Sequence, residues 1–136
     1  SVDDLAGKKV AVQSGSTGPE VVGQYAPEAE IQEFSKDDEC RAALEQGRVD
    51  AYVVDNTLQM GNVVKNPGKY RIAGDAFGPE EYLGIGVKLG NTDAVDFINA
   101  FLKKFEDDGN WEKLYKIAVA DRCGIYTIPE PPAIGA

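Results

Sequence analysis

Lys8-Lys9-Val10-Ala11-Val12-Gln13-Ser14-Gly15-Ser16-Thr17-Gly18-Pro19 passes from strand to turn to helix in a dozen residues, and its reading decides the fold. Val10, Ala11 and Val12 form a short apolar run of strand length. The run from Ser14 to Pro19 is rich in turn formers and breaks it. Pro19 suits the first turn of a helix, and Val21, Val22 and Tyr25 follow at helical spacing.

Outward from this unit the pattern repeats. Glu30 to Phe34 alternates polar and apolar residues, as a half-buried strand does. Ser35 and Asp37 are candidate caps for a helix through Gln46, with Cys40, Ala43 and Leu44 on one face and Gly47 as its stop. Val49 to Val54 is the most strand-like run and ends at Asp55-Asn56. A helix to about Lys65 follows, broken by Asn66-Pro67-Gly68, and Tyr70 to Ala73 reads as a further strand. The order β-α-β-α-β-α-β predicts an α/β fold with a mainly parallel sheet flanked by helices.

Beyond Gly78-Pro79-Glu80-Glu81 the pattern changes. Tyr82 to Val87 reads as a glycine-containing strand. Two amphipathic helices follow, one presenting Val95, Ile98, Leu102 and Phe105, the other Trp111, Leu114, Tyr115 and Ala118. Their apolar faces exceed what one short strand covers. The tail from Ile128 through Pro129, Pro131 and Pro132 is expected to be extended.

The 136 residues suffice for one ordinary domain, and no apolar run reaches the length that crosses a bilayer. The net charge of −9 and the lack of a Lys/Arg cluster argue against a nucleic-acid partner. There is no histidine, the commonest general base at neutral pH and the commonest zinc ligand, so enzymatic readings start at a disadvantage. Cys40 and Cys123 are too few for a cysteine-only zinc site. They are either two buried thiols or a disulfide that ties the C-terminal tail to an internal helix in an oxidising compartment. No metal and no cofactor is implied.

Two places carry chemistry. In the turn Gln13-Ser14-Gly15-Ser16-Thr17, N–H groups at a helix start and two hydroxyls offer donors to an anion, and Gly15 admits close approach to the backbone. No lysine follows in the manner of a nucleotide-binding loop. Asp55 ends the strongest strand, where open parallel sheets collect ligands. Its carboxylate either caps the next helix, accepts from an ammonium group, or does both. Donors for a carboxylate and one acid for an amine describe a site for an α-amino acid.

At this point four motifs in order resemble the family 3 solute-binding proteins, the polar amino-acid receptors of ABC importers. Asp4 to Thr17 is similar to the opening of that family's second lobe. Leu44 to Asn56 is similar to its G-x-x-D-A-x-x-x-D strand, Tyr82 to Val87 to its return strand, and Asp107 to Tyr115 to its D-G-x-x-x-x-I-Y helix. The tail resembles that of actinobacterial glutamate-binding members. The resemblance implies a periplasmic-binding-protein-like II fold in which residues 1–81 are the second ligand-binding lobe. Residues 82–136 would be the return strand, C-terminal helices and tail belonging to the first lobe, whose N-terminal part lies outside this sequence.

It further implies that Ser16 and Thr17 touch the ligand, that Gln13, Ser14 and Gly15 line its pocket, and that Asp55 holds the α-ammonium. Gln13 and Val54 vary among relatives with side-chain preference. The implied ligand is a polar amino acid of the glutamate, glutamine or aspartate kind, gripped by closure about a hinge near Gly78 to Tyr82. The implied partners are the membrane subunits of an ABC transporter, and the implied location is extracytoplasmic, with a possible lipid anchor upstream. The unpaired helix faces are expected to drive self-association, and the chain alone is expected to bind amino acids weakly. An amino-acid sensor domain of a membrane receptor stays open as an alternative. A cyclohexadienyl-dehydratase-like enzyme shares the fold but needs an acid–base pair where only Asp55 stands.

Overall fold

The computed structural model describes residues 1–124, 128–131, 133 and 134. Pro132, expected in the extended tail, lies outside the described residues. The chain divides into two compact units, Ser1–Pro79 and Glu80–Ala136.

The first unit is a three-layer α/β/α arrangement. After a 3-10 turn at Val2–Leu5 come β1 (Lys9–Gln13), α1 (Gly18–Tyr25), β2 (Glu30–Phe34), α2 (Asp37–Glu45), β3 (Ala51–Tyr52) and α3 (Asn56–Lys65). The sheet is parallel with order β2-β1-β3, so β1 is paired on both edges. Val10, Ala11 and Val12 are completely buried. Successive strand side chains point to opposite faces. Val10 and Val12 meet Val22 and Ala26 of the α1 side, with Ala51, Val53 and Ile31 beside them. Ala11 meets Cys40 and Ala43 of α2, together with Val49 and Tyr52. A strand covered on both faces reads as a continuous apolar run, which is what residues 10–12 are.

The register is fixed at the other end of the sheet by Asp50. Its N–H donates to the Lys9 carbonyl at 2.8 Å and its carboxylate accepts from the Lys9 N–H at 2.9 Å. The aspartate of the G-x-x-D-A motif is therefore a clasp between β1 and β3. It stands at the edge of the sheet opposite Asp55. Gly47, just past α2, has φ +66° and supplies the left-handed residue that lets the chain turn back into β3.

The second unit holds α4 (Thr92–Asp107), α5 (Asn110–Tyr115), a π-helical turn at Lys116–Ala120 and a short α6 (Asp121–Cys123). Asn91 caps α4 by accepting from the Ala94 N–H at 3.2 Å. Gly109, at φ +69°, joins α4 to α5. Trp111 stacks at a tilt on Tyr115 and donates its indole N–H to the Pro129 carbonyl at 3.1 Å, which holds that part of the tail against α5. Neither α4 nor α5 has a buried residue. Phe97 and Phe101 are exposed on α4, and Leu83 and Leu89 lie almost fully open before it.

Four expectations need correction. Tyr70–Ala73 and Tyr82–Val87 form no strand, and the Val49–Val54 run pairs only at Ala51–Tyr52. A strand must bond a neighbour, and among the described residues the sheet ends with β3 on one side and β2 on the other. The cap of α2 falls on Lys36, which makes no side-chain cap bond, rather than on Ser35 or Asp37. Asp37 is spent elsewhere, accepting from Arg41 at 2.8 Å and from Tyr52 at 2.6 Å.

Cys40 and Cys123 are each a free thiol within their own unit. Cys40 is sealed at 0% exposure between Ala11, Ala43, Val49 and Tyr52, and burial pushes its thiol above the usual range. Thiol titration checks this. Without reductant, Cys123 should react with an aromatic disulfide reagent in the native chain, and Cys40 only after unfolding. A chain with no reactive thiol in denaturant would show the disulfide instead.

Candidate amino-acid site

In a parallel sheet every strand ends on the same edge, so the sequences after β1 and β3 emerge side by side, with the strands about 4.8 Å apart. Beyond the last pair, Ala11–Tyr52, β1 runs on to Gln13 and Ser14 while β3 gives way to Val53, Val54 and Asp55 at the same end of the sheet. The structure thus brings the Gln13–Thr17 turn and Asp55 to one edge. Val54 packs toward the α2-side core, which leaves Gln13, half-exposed, as the longer polar side chain there.

The turn is built by its own hydrogen bonds. The Ser14 N–H extends the ladder to the Phe34 carbonyl at 2.8 Å. The Gln13 carbonyl then accepts from the Ser16 N–H at 3.3 Å and from the Ser16 hydroxyl at 2.7 Å. Gly15, third in this β-turn, has φ +75°, where any L side chain is strained. The Ser16 Oγ also accepts from the Gly18 N–H at 3.1 Å, capping the start of α1.

Ser16 and Thr17 consequently differ. The one hydroxyl proton of Ser16 is committed to Gln13, so this side chain shapes the turn. The Thr17 hydroxyl makes no hydrogen bond among the described residues, and neither do the backbone N–H groups of Gly15, Thr17 and Glu20. These exposed donors stand at the positive end of the α1 dipole. They suit an anionic group.

Gly18 is a site residue that the sequence reading passed over. A Cβ there would stand 3.1 Å from the Ser16 Oγ and 3.3 Å from the Val12 Cβ, so a larger residue would crowd the hydroxyl. Its only sequence signal is its place between the turn and Pro19. Asp55 stands at the cap position of α3 with φ −46° and ψ 137°, but its side chain makes no cap bond. Its exposed carboxylate keeps its acceptor capacity for another partner. Beneath it, Tyr52 is fixed at both ends. Its hydroxyl donates to Asp37, and its carbonyl accepts from Gln59 Nε2 at 2.7 Å. Burial first, and the bond to Asp37 second, push the Tyr52 phenol far above its ordinary range.

Among the described residues no cluster of His, Cys, Asp or Glu is arranged to hold a metal ion. A shallow hollow lined by Val2, Asp3, Ala6, Tyr25, Ala26, Pro27 and Glu28 sits at the C-terminal end of α1. That is the opposite edge of the sheet from the turn and Asp55, and the chemistry described here lies away from it.

No protein-family model matches the chain. Sequence comparison finds the ABC transporter glutamine-binding protein GlnH of Bacillus subtilis, 38% identical over 117 residues, which are 85% of this chain and 42% of that protein. Among solved structures, an ancestral arginine-binding protein bound to arginine superposes with a TM-score of 0.74 at 38% identity, covering 86% of this chain and 53% of that one. Along about 85% of its length the chain is therefore similar to one part of the amino-acid-binding proteins of the family 3 kind. It spans about half the length, or less, of these solute-binding relatives. Another, the ancestral amino acid-binding protein AncCDT-1, a precursor of cyclohexadienyl dehydratase, superposes with a TM-score of 0.69 at 28% identity, covering 88% of this chain and 51% of that one. The ligands in the relatives' names are several: glutamine, glutamate, arginine and L-cystine.

Two substitutions test the geometry. Gly15→Ala should destabilise the chain by about 1–2 kcal/mol in urea unfolding, through the left-handed backbone alone. Tyr52→Phe tests the buried phenol. A phenol whose folded pKa is raised contributes in full below the unfolded pKa near 10, and that stability is lost as pH rises further. Unfolding followed from about pH 9 to pH 11 should therefore show a smaller alkaline loss in Tyr52→Phe than in the parent. Equal slopes would mean that Tyr52 ionises freely in the folded chain.

Proposed function

We propose that this chain forms the second ligand-binding lobe, residues 1–81, and the C-terminal part of the first lobe, residues 82–136, of the amino-acid-binding component of an ABC transporter. It captures a polar amino acid of the glutamate, glutamine or aspartate kind by lobe closure about a hinge near Gly78 to Tyr82. The membrane subunits of the transporter then recognise the closed state, and the protein works outside the cytoplasmic membrane. The observation that carries this reading is the pairing of opposite chemistries at one sheet edge. N–H donors and the Thr17 hydroxyl follow β1 and the Asp55 carboxylate follows β3, all without a hydrogen-bond partner among the described residues.

In this reading the donors meet the ligand carboxylate or side chain and Asp55 accepts from the α-ammonium, while Ser16 holds the turn in shape. Both contacts are charge-assisted, and neither relies on a long side chain reaching for the ligand. Binding therefore costs little ordering on this side, and the ligand shifts the open–closed equilibrium by its extra contacts in the closed state. The enzymatic alternative gains nothing from the AncCDT-1 likeness, because that neighbour is itself named an amino acid-binding protein.

Calorimetric titration of the full-length gene product with the polar amino acids tests the proposal. Asp55→Ala should raise the dissociation constant about 10- to 100-fold, the equivalent of losing charge-assisted hydrogen bonds. It should leave the melting temperature of the unliganded protein nearly unchanged, since the side chain makes no cap bond. Parent-like affinity in Asp55→Ala would overturn the site. The 136-residue chain alone should bind weakly. Low-micromolar or tighter binding of glutamate or glutamine to it would overturn the division into lobes.

A further inference from the structure

β3 leaves the sheet before it reaches Asp55. The last paired residues are Ala11 and Tyr52, and the Val53 N–H makes one more bond to the Ala11 carbonyl at 3.0 Å. Neither Val54 nor Asp55 has a ladder partner among the described residues, and the Asp55 side chain has no cap bond. A carboxylate three residues beyond its last strand pair, with no bond from its own side chain among the described residues, needs another support to keep a fixed direction.

Gln59, one turn into α3, supplies it. Its Nε2 reaches back over the elbow to the Tyr52 carbonyl at 2.7 Å, while its backbone N–H donates to the Asp55 carbonyl at 3.1 Å. One residue thus holds both ends of the segment from Tyr52 to Asp55. The anchor it pulls on is rigid. The Tyr52 ring is buried in the α2-side cluster, and its hydroxyl bonds to Asp37, which is in turn bonded to Arg41. A half-exposed glutamine in the first turns of a helix ordinarily faces water. Here its amide is spent on a strand carbonyl.

We infer that Gln59 is a positioning residue for amino-acid capture, one that sets the direction of the Asp55 carboxylate through the β3–α3 elbow without touching the ligand itself. The inference rests on the reading of Asp55 as the ammonium acceptor. Hydrogen bonds weaken steeply with misalignment, so a looser elbow lowers affinity for the amine end of the ligand and leaves the rest of the grip intact.

The test uses the full-length gene product, with L-glutamate and L-glutamine as probes beside their counterparts lacking the α-amino group, glutarate and glutaramate. Gln59→Leu removes the amide at similar size, and Gln59→Met serves as the second variant where branching disturbs packing. The expected result is a dissociation constant about tenfold higher for the amino acid, with the value for the deaminated counterpart held within about twofold. In the Asp55→Ala background the Gln59 substitution should have no further effect, the signature of two residues acting as one unit. Equal weakening toward both compounds would reduce Gln59 to general support of the fold and overturn the inference. So would parent-like affinity in both Gln59 variants while Asp55→Ala binds poorly. If Asp55→Ala binds as the parent does, or the parent binds neither amino acid, the reading of the site fails and the inference falls with it.

Discussion

The structure of the first unit depends on β1 being buried on every side. Its two edges are bonded to parallel neighbours, and its two faces are covered by helices that meet Val10 and Val12 on one side and Ala11 on the other. The asymmetry of size matters. The small Ala11 shares its face with the Tyr52 ring, Cys40 and Ala43, while the two valines pack with Val22 and Ala26 on the other. Parallel pairing of a central strand then dictates where function collects. Every strand delivers its C-terminal residues to one edge and every helix returns to the other.

At that edge two different solutions hold two different groups. The turn after β1 is local and self-sufficient, with one carbonyl, that of Gln13, accepting twice from Ser16 and one glycine taking the left-handed backbone. What remains free there is a set of donors. The elbow after β3 is short of local bonds, and its geometry is imposed from α3 and from the buried tyrosine. What remains free there is an acceptor. A zwitterion matches this pair, and rigid placement of both groups reduces the ordering cost of gripping it.

The elements that the sequence did and did not reveal differ for a physical reason. Helices satisfy their own backbone, so the amphipathic patterns at Thr92–Asp107 and Asn110–Tyr115 became helices even without a buried residue on either. A strand is a relation between two segments. Tyr70–Ala73 and Tyr82–Val87 have strand-like composition, but the described chain offers them no ladder, and Leu83 stands in the open. The same limit applies to side chains. Asp37 has the composition of a cap, yet a tyrosine fifteen residues away claims it, and Gln59 looks like an ordinary helix-surface residue until the strand beside it is in place.

The sequence by itself determined the parallel α/β class, the turn at Gln13–Thr17 and the acid at Asp55, because apolar period, glycine and proline placement and strand ends are local properties of a chain. Only the tertiary structure decided that Ser16 is occupied in shaping the turn while the Thr17 hydroxyl has no partner among the described residues, that Asp50 clasps the far edge, and that Cys40 is buried. Each of these is settled by a hydrogen bond or a packing contact, and several of the deciding partners lie dozens of residues away along the chain.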